Sequence, residues 1–240
     1  MNQKQKTIKV YQDKKGMKVF DKASNRFPFQ KYRYKIEANF LKKIIGQYKG
    51  NLKILDAACG TGRFLPIVFN TKKNIKYTGL DTSKAMFFYL KKKKLFSDNK
   101  KNISLVLSDA ARMPFRDNTF DIIYTYHFLW HIPQENQKEA ITEMMRVLKK
   151  GGTLIFDITN KRFIWRRFKD IFGAKETPNV YKLGLSEVKK IVRRERIDVE
   201  KLLDFPIKNN FLYSLFNIFN YFRKFFPPIM FHMLFIAVKK

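Results

Sequence analysis

A short strand that leads into a glycine-containing turn and a helix is the feature that most constrains how this chain can fold. It occupies Lys53–Leu65, where the apolar run closes at Asp56, Gly60 and Gly62 lie in the turn, and a helix is predicted to begin near Arg63. Glycine at these positions indicates backbone conformations that a β-carbon hinders, and a ligand that approaches the backbone closely. Such a turn is typical of a parallel sheet whose strands are followed by crossover helices.

The central segment repeats this alternation of apolar runs and helical patterns. The predicted strands are Leu52–Ala57, Ile75–Asp81, Ile103–Asp109, Phe120–Thr125 and Thr153–Thr159. The predicted helices between them are Gly62–Lys72, Ser83–Phe96 and Asn136–Lys149. The last of these helices runs into Lys-Lys-Gly-Gly, which predicts a glycine cap at its C-terminal end. Together the pattern predicts an α/β fold with a doubly wound, Rossmann-like sheet.

Two further aspartates close the second and third strands of this pattern. Asp81 and Asp109 would lie beside the glycine turn, because the carboxyl ends of neighbouring parallel strands line one crevice. A carboxylate at the first position can accept both hydroxyls of a ribose, and one at the second can accept an adenine amino group. Leu65 stands where a dinucleotide fingerprint has its third glycine, which favours an adenosine ligand without a bound phosphate. The alternative is that both aspartates only cap the following helices.

Five segments of the chain, in this order, resemble the class I S-adenosylmethionine-dependent methyltransferases, specifically the methyltransferase-11-like subgroup. They are Ile54–Gly62, Tyr77–Ser83, Asp109–Phe115, Phe120–Tyr124 and Arg146–Gly152. Ala58 departs from the pattern, because the family usually has a glycine there. The resemblance implies a sheet of seven strands, mostly parallel with an antiparallel last strand and helices on both faces. Ile197–Asp204 and Met230–Val238 can supply the sixth and seventh strands.

The resemblance also implies the cofactor, S-adenosyl-L-methionine, and the residues that bind it. These are Asp56, Ala58, Gly60, Gly62, Asp81, Thr82, Asp109, Ala110 and Tyr124. No metal is expected. Cys59 belongs to the cofactor turn, so a mechanism through a covalent cysteine adduct is not expected. The segment after the fourth strand also lacks the Asn/Asp-Pro-Pro-Tyr/Phe motif of enzymes that methylate amino groups of nucleic acids.

In this family the acceptor site lies over the end of the fourth strand, where His127 and His131 stand. Methyl transfer from a sulfonium needs an aligned nucleophile and the exclusion of water, and it needs a base only when the acceptor arrives protonated. His127 and His131 are the titratable candidates for that base, because histidine has a near-neutral reference pKa. The alternative for each is a packing or cofactor-contacting role.

The charge balance points to an anionic partner. The chain has 50 Lys and Arg against 20 Asp and Glu, a formal net charge of +30. This balance favours nucleic acid or an anionic membrane surface as partner, and a generally lysine-rich composition explains it equally well. A single cysteine excludes a disulfide framework, and no Cys/His cluster offers a zinc site. The N-terminal segment lacks the apolar run of a signal peptide, so a cytoplasmic location is expected.

An aromatic segment near the C-terminus is the second unusual feature. Its apolar residues, within 211–226, would cover most of a helix, and Lys208, Arg223 and Lys224 are the cations around them. Basic and proline pairs interrupt this segment, so it is shorter than the roughly 20 apolar residues of a membrane span. We expect a lid over the acceptor, or a peripheral contact with an anionic membrane through residues 208–226. The alternative is a face that packs on the sheet or on a second subunit.

The sequence therefore predicts one domain with three segments. Residues 1–50 would form an N-terminal helical cap, residues 51–160 the S-adenosylmethionine-binding core, and residues 161–240 the substrate-covering segments and the last two strands. The expected activity is methyl transfer to an O, N or C atom of a small-molecule or lipid-like acceptor. Two alternatives stay open: a tRNA-modifying methyltransferase, which the net charge favours, and a catalytically silent adaptor, against which the intact glycine and acidic positions count.

Overall fold

Apolar strands followed by helices with one buried face set the order of elements along the chain. The computed structural model describes residues 28–159, 181–192, 196–202 and 232–240. The strands are β1 (Leu52–Ala57), β2 (Ile75–Asp81), β3 (Ile103–Leu107), β4 (Phe120–Thr125), β5 (Leu148–Thr159), β6 (Arg196–Leu202) and β7 (His232–Val238). The α-helices in the described residues are α1 (Pro28–Gln47), α2 (Leu65–Thr71), α3 (Lys84–Lys91), α4 (Lys94–Asp98), α5 (Gln134–Val147) and α6 (Leu185–Ile191). Short 3₁₀ turns lie at Lys100–Asn102 and Leu129–His131.

The seven strands form one sheet in the order β3-β2-β1-β4-β5-β7-β6. Strands β1 to β5 run parallel, whereas β7 is antiparallel to both β5 and β6. The chain proceeds outward from β1 to β3 and then returns to β4 on the other side of β1. Ligands of open α/β sheets bind where the strand order reverses in this way, at the carboxyl ends of the strands. The predicted doubly wound sheet with an antiparallel last strand is confirmed.

Each face of the sheet buries its own apolar core. On one face α1 and α2 pack on the central strands, with Leu41, Ile45 and Leu65 fully buried. On the other face α5 and α6 cover the sheet through residues such as Met144 and Val188. Strands covered on both faces need apolar side chains at nearly every position. This requirement explains the predominantly apolar segments from which the sequence predicted β1, β2 and β4.

Several element boundaries differ from the sequence prediction, among them the end of β3, which lies at Leu107 and not at Asp109. The helix predicted over 83–96 is two helices, α3 and α4, which meet at Lys92–Lys93. The predicted strand at 153–159 begins earlier, at Leu148, directly after α5. Gly151 adopts the left-handed φ of +74°, but it lies within β5 and does not cap a helix. Its N–H donates to the Lys239 carbonyl at 2.7 Å, so this glycine serves pairing with the C-terminal residues.

The C-terminal part supplies the last two strands, with shifted ends. Strand β6 ends at Leu202 and β7 begins at His232, each two residues short of the predicted limit. Glu187 accepts the Gly184 N–H at 2.6 Å, and Gly184 is the cap residue of α6. The aromatic segment at 211–226 lies outside the described residues. Within the described part of the chain, no helix is long and apolar enough to cross a bilayer.

Candidate active site

A cavity of about 140 Å³ opens at the carboxyl ends of the parallel strands. The turn after β1, the ends of β2 and β3, and the segment after β4 line it. The structure brings nine of the predicted site residues to this lining: Asp56, Ala58, Gly60, Asp81, Thr82, Asp109, Ala110, His127 and His131. Gly62 and Tyr124 are not in the lining, and both pack behind it.

Asp81 ends β2 and joins two backbone turns beside the cavity. Its Oδ2 accepts the Gly60 N–H at 2.9 Å and its Oδ1 accepts the Ser83 N–H at 2.9 Å. Ser83 caps α3, because its Oγ accepts the Met86 N–H at 3.3 Å. Burial raises the pKa of Asp81, while the backbone donors lower it in part. Since each carboxylate oxygen has two lone pairs, Asp81 can still accept ligand hydroxyls, and helix capping does not explain its position.

The turn after β1 uses three left-handed residues, each for a different reason. A β-carbon on Gly60 (φ +52°) would meet only the Met86 Sδ, at 3.9 Å, so this glycine keeps the cavity wall open. A β-carbon on Gly62 (φ +70°) would lie 2.9 Å from Leu90 Cδ1, so the left-handed backbone and the packing of α3 both favour glycine there. Ala58 adopts φ +64°, a left-handed conformation that costs a residue with a β-carbon about 1–2 kcal/mol.

Asp56, at the end of β1, is a buried carboxyl with two tyrosine partners. The hydroxyls of Tyr77 and Tyr124 both donate to its Oδ2 at 2.8 Å. Burial raises the pKa of Asp56 to about 7, against the effect of the two tyrosine hydrogen bonds. Tyr124 therefore contacts Asp56, which lines the cavity, and does not line it itself. Burial also raises the pKa of the neighbouring Cys59 thiol, which fits a packing role for that cysteine.

Asp109 lies in the turn just beyond β3, two residues past the end of the strand. Its Oδ1 accepts the Ala111 N–H at 3.0 Å and its carbonyl accepts the Arg112 N–H at 3.0 Å. The Ser108 N–H donates to the Asp81 carbonyl at 3.0 Å, which ties this turn to the end of β2. Asp81 and Asp109 thus both line the cavity, although Asp109 lies in the turn after β3 and not at the strand end that the sequence predicted.

His127, after β4, is held through its ring and through its backbone. Its Nε2 lies 2.7 Å and 3.0 Å from the two carboxylate oxygens of Glu37 on α1, and its Nδ1 faces Arg33 Nη2 at 3.5 Å. These partners assign the ring proton to Nε2. The backbone N–H donates to Asp157 Oδ1 at 2.8 Å, and the residue adopts φ +60°. Burial, with Arg33 next, lowers the pKa of His127 well below its usual value, so the ring is neutral.

The groups around His127 form a buried polar cluster of Arg33, Glu37, His127 and Asp157. Burial raises the pKa of Glu37 to about 7 and that of Asp157 to about 8. Ligating atoms of Glu37, His127 and Asp157 lie within 4.8 Å of one another, and Asp157 Oδ2 has no hydrogen-bond partner among the described residues. Arg33, 3.8 Å from Glu37 Oε1, already supplies a positive charge, and the ring proton occupies Nε2. The cluster is therefore better suited to hydrogen bonding than to holding a metal ion.

His131 lies in the 3₁₀ turn after β4 and also lines the cavity. Its ring makes an edge contact with Trp130, with 5.8 Å between the ring centres. Burial, followed by the charge of Arg33, lowers the pKa of His131 to about 4. The imidazole is thus neutral at physiological pH and can accept a proton only weakly. Apolar walls at Phe128 and Ile132 complete this end of the cavity.

Sequence reasoning missed three charged residues of the site: Arg63, Glu37 and Asp157. Arg63 lines the cavity and lies over the Tyr34 ring, 4.6 Å from its centre. A signal existed for Asp157, because an acid inside an apolar strand run requires a partner or a function. Glu37 is one of three acids in the first 53 residues, but nothing local in the sequence indicates that it reaches the end of β4.

Comparison with known proteins gives one matching family, an uncharacterized relative and a relative that is a named methyltransferase. The profile of the family described as Methyltransferase domain matches residues 55–156. An uncharacterized protein of Methanocaldococcus jannaschii is 31% identical over 195 residues, which cover 80% of this chain and 68% of that protein. Demethylmenaquinone methyltransferase of Staphylococcus aureus is 32% identical over 139 residues, 58% of this chain. The match spans only 54% of the length of that enzyme.

Solved structures with the same fold include two methyltransferases crystallised with S-adenosylhomocysteine. Magnesium protoporphyrin IX methyltransferase of Synechocystis superposes with a TM-score of 0.68 at 15% identity, over 98% of this chain and 100% of that one. The plantazolicin methyltransferase superposes with a TM-score of 0.63 at 16% identity, over 99% of this chain and 95% of that one. At this level of identity the likeness shows the fold.

Proposed function

We propose that this chain, which belongs to the methyltransferase-11 family of class I S-adenosylmethionine-dependent methyltransferases, transfers a methyl group to a small-molecule or lipid-like acceptor. The observation that carries the proposal is the position of Asp81 at the end of β2 and of Asp109 just beyond β3, in a cavity that the open turn at Gly60 also lines. This is the arrangement of acceptors and close backbone that an adenosine ligand requires. An adaptor without a cofactor would have no need to keep buried acids at these positions.

The residues of the cavity fit S-adenosylmethionine in their chemistry. Asp81 would accept the ribose hydroxyls and Asp109 the adenine amino group, while Gly60 lets the ligand approach the backbone. Arg63 would pair with the carboxylate of the cofactor, since it lines the cavity as a cation. When bound, the cofactor supplies an electrophilic methyl group on a sulfonium.

The remaining walls suit the acceptor. Phe128, Ile132 and Phe64 line the cavity with apolar surface, which would exclude water and hold the acceptor in line for displacement. His127 has both ring nitrogens directed at protein groups, so it is poorly placed to take a proton from an acceptor. His131 is therefore the candidate base that we retain, for acceptors that arrive protonated.

A small acceptor is supported by the relatives as well as by the walls. The demethylmenaquinone and magnesium protoporphyrin IX methyltransferases are named for small-molecule acceptors. The net charge of +30 favours the second candidate, a tRNA-modifying enzyme. Both candidates use the same cofactor site and differ in what binds beyond it.

Transfer of an isotopically labelled methyl group tests the proposal. The full chain is incubated with methyl-labelled S-adenosylmethionine and either a total metabolite and lipid extract or bulk tRNA, and the label is followed by mass spectrometry. We expect label in a small molecule of the extract. Label in tRNA alone would establish the second candidate, and label in neither, with the cofactor bound, would favour the adaptor.

Co-sedimentation with anionic vesicles tests the proposed membrane contact through residues 208–226. We expect vesicle binding that is lost in the double variant Phe216→Glu/Phe219→Glu, because apolar burial and charge attraction would both contribute. Binding to bulk tRNA that falls steeply with salt and ignores these two substitutions would contradict the membrane contact.

A further inference from the structure

We infer that Glu37, on helix α1, is a positioning residue for methyl transfer, which holds the ring of His127 at the acceptor end of the cavity. The inference rests on the proposed function for its chemical consequence. Helix α1 then contributes to the active site through Glu37, although Glu37 itself lies behind the cavity lining.

The first support is the way in which the ring is held. Glu37 is fully buried and presents both carboxylate oxygens to Nε2 of His127, at 2.7 Å and 3.0 Å. Arg33, one turn earlier on α1, faces the opposite ring nitrogen at 3.5 Å. One helix therefore fixes both the tautomer and the plane of an imidazole that lines the cavity.

The second support is the backbone of His127. Its φ of +60° is unfavourable for a residue with a β-carbon, and such conformations persist where the surroundings over-determine them. Asp157 on β5 provides part of that constraint, because its Oδ1 accepts the His127 N–H at 2.8 Å. Ring and backbone are thus held from two different elements, as expected of a residue whose exact placement matters.

The third support is that α1 does not need this carboxylate in order to dock. Leu41 and Ile45 of the same helix are fully buried in the apolar core, and Ala38 and Ile44 are nearly so. An apolar side chain at position 37 would attach the helix without the cost of desolvating a carboxylate. Glu37 is a buried acid beside the cavity, and it is bonded to a histidine that lines the cavity. A role in the active site explains it better than a role in docking α1.

The test compares three full-length variants. Glu37→Leu removes the hydrogen-bond acceptor, and Glu37→Gln keeps an acceptor oxygen for Nε2–H. The control is Ile45→Ala, which weakens the packing of α1 about two helical turns from Glu37. Each variant is measured for label transfer to the metabolite and lipid extract, for S-adenosylhomocysteine affinity by calorimetry, and for the ¹⁵N signals of the His127 ring.

We expect Glu37→Leu to lose transfer rate by roughly tenfold to a hundredfold, as misplaced active-site groups do, with unchanged S-adenosylhomocysteine affinity and altered His127 ring signals. Glu37→Gln should retain the ring signals and most of the rate. The control, Ile45→Ala, should melt at a lower temperature and keep both the transfer rate and the His127 ring signals. A Glu37→Leu protein that melts lower but keeps its rate or its ring signals would overturn the inference, because Glu37 would then only attach the helix.

Two further results keep the test decisive. If Glu37→Leu does not fold, Glu37→Asp replaces it, since the shorter side chain keeps the charge and withdraws the acceptor from Nε2. An unchanged rate in Glu37→Asp would also overturn the inference. If the wild-type protein transfers no label, the proposed function fails and the positioning role fails with it. If the His127 ring signals still change in Glu37→Leu, the contact between Glu37 and His127 stands, and only its assigned role in methyl transfer fails.

Discussion

Replacing Asp56 with asparagine is expected to stabilise the fold near neutral pH and to leave it almost unaffected in acid. The Asp56 carboxyl is 4% exposed, and one of its oxygens, Oδ2, accepts the hydroxyls of both Tyr77 and Tyr124 at 2.8 Å. The amide oxygen of asparagine can take the same place and keep both hydrogen bonds. The substitution therefore removes a buried titration and retains the packing.

The magnitude follows from the pKa of Asp56, which burial raises from 3.8 to about 7. Because the folded protein binds this proton more tightly than the unfolded chain, the contribution to stability is fully present below about pH 4 and is lost as the pH rises through about 7. About three pKa units at roughly 1.4 kcal/mol each give about 4 kcal/mol of lost stability above pH 7. Asparagine does not titrate, so the variant does not lose this stability as the pH rises.

Urea unfolding of the wild-type protein and of Asp56→Asn between pH 4 and pH 8 measures this difference. We expect the two free energies of unfolding to agree near pH 4 and to differ by about 4 kcal/mol at pH 8, in favour of the variant. Asp98→Asn, at an exposed acid, is the matched control and should not reproduce the divergence. A difference between Asp56→Asn and wild type that stays constant across this range would contradict a raised pKa of Asp56 in the folded protein.

Three further predictions concern the turn and the acceptor side. Gly62→Ala should lower the free energy of unfolding by about 1–3 kcal/mol, because φ is +70° and the new β-carbon would lie 2.9 Å from Leu90; an unchanged denaturation midpoint would contradict it. Ala58→Gly should raise the free energy of unfolding by up to about 1 kcal/mol, because φ is +64°, and a lower free energy of unfolding would argue against strain there. If His131 is the base, turnover should be level across neutral pH and fall only as the pH approaches about 4, and His131→Ala should lower it roughly 100-fold with cofactor affinity retained. Lower affinity or thermal stability with unchanged turnover would assign His131 to packing.

The fold could be predicted because its signals are local. Strands β1, β2 and β4 have the predicted ends, since burial on both faces requires apolar runs that polar turns interrupt. The position of Asp81 follows from the same rule, because a residue at the carboxyl end of a parallel strand beside the reversal of strand order must face the crevice. Gly151 shows the limit: a glycine cap was predicted at the end of the helix, but Gly151 lies in β5 and its N–H pairs with Lys239, 88 residues further along the chain.

The parts of the site that could not be predicted depend on contacts between distant segments. Glu37 and His127 are 90 residues apart, and no pattern in either segment predicts that they meet. The close approach of Leu90 on α3 to position 62 gives a packing reason for glycine there, which no pattern in the turn itself indicates. Asp157 lies on β5 in a run that sequence reasoning treated as apolar core. Each of these residues is understood only after the sheet has brought its strand ends together.

Titration calorimetry with S-adenosylhomocysteine tests the assignment of the cavity to the cofactor, because it requires no knowledge of the acceptor. We expect one-to-one binding to the wild-type protein. We also expect Asp81→Ala to weaken this binding by at least about 1–3 kcal/mol, since ribose hydroxyls lose their acceptor and the Gly60 turn loses its support. Absence of binding to the wild-type protein, or equal affinity in the variant, would contradict the assignment of this cavity to the cofactor.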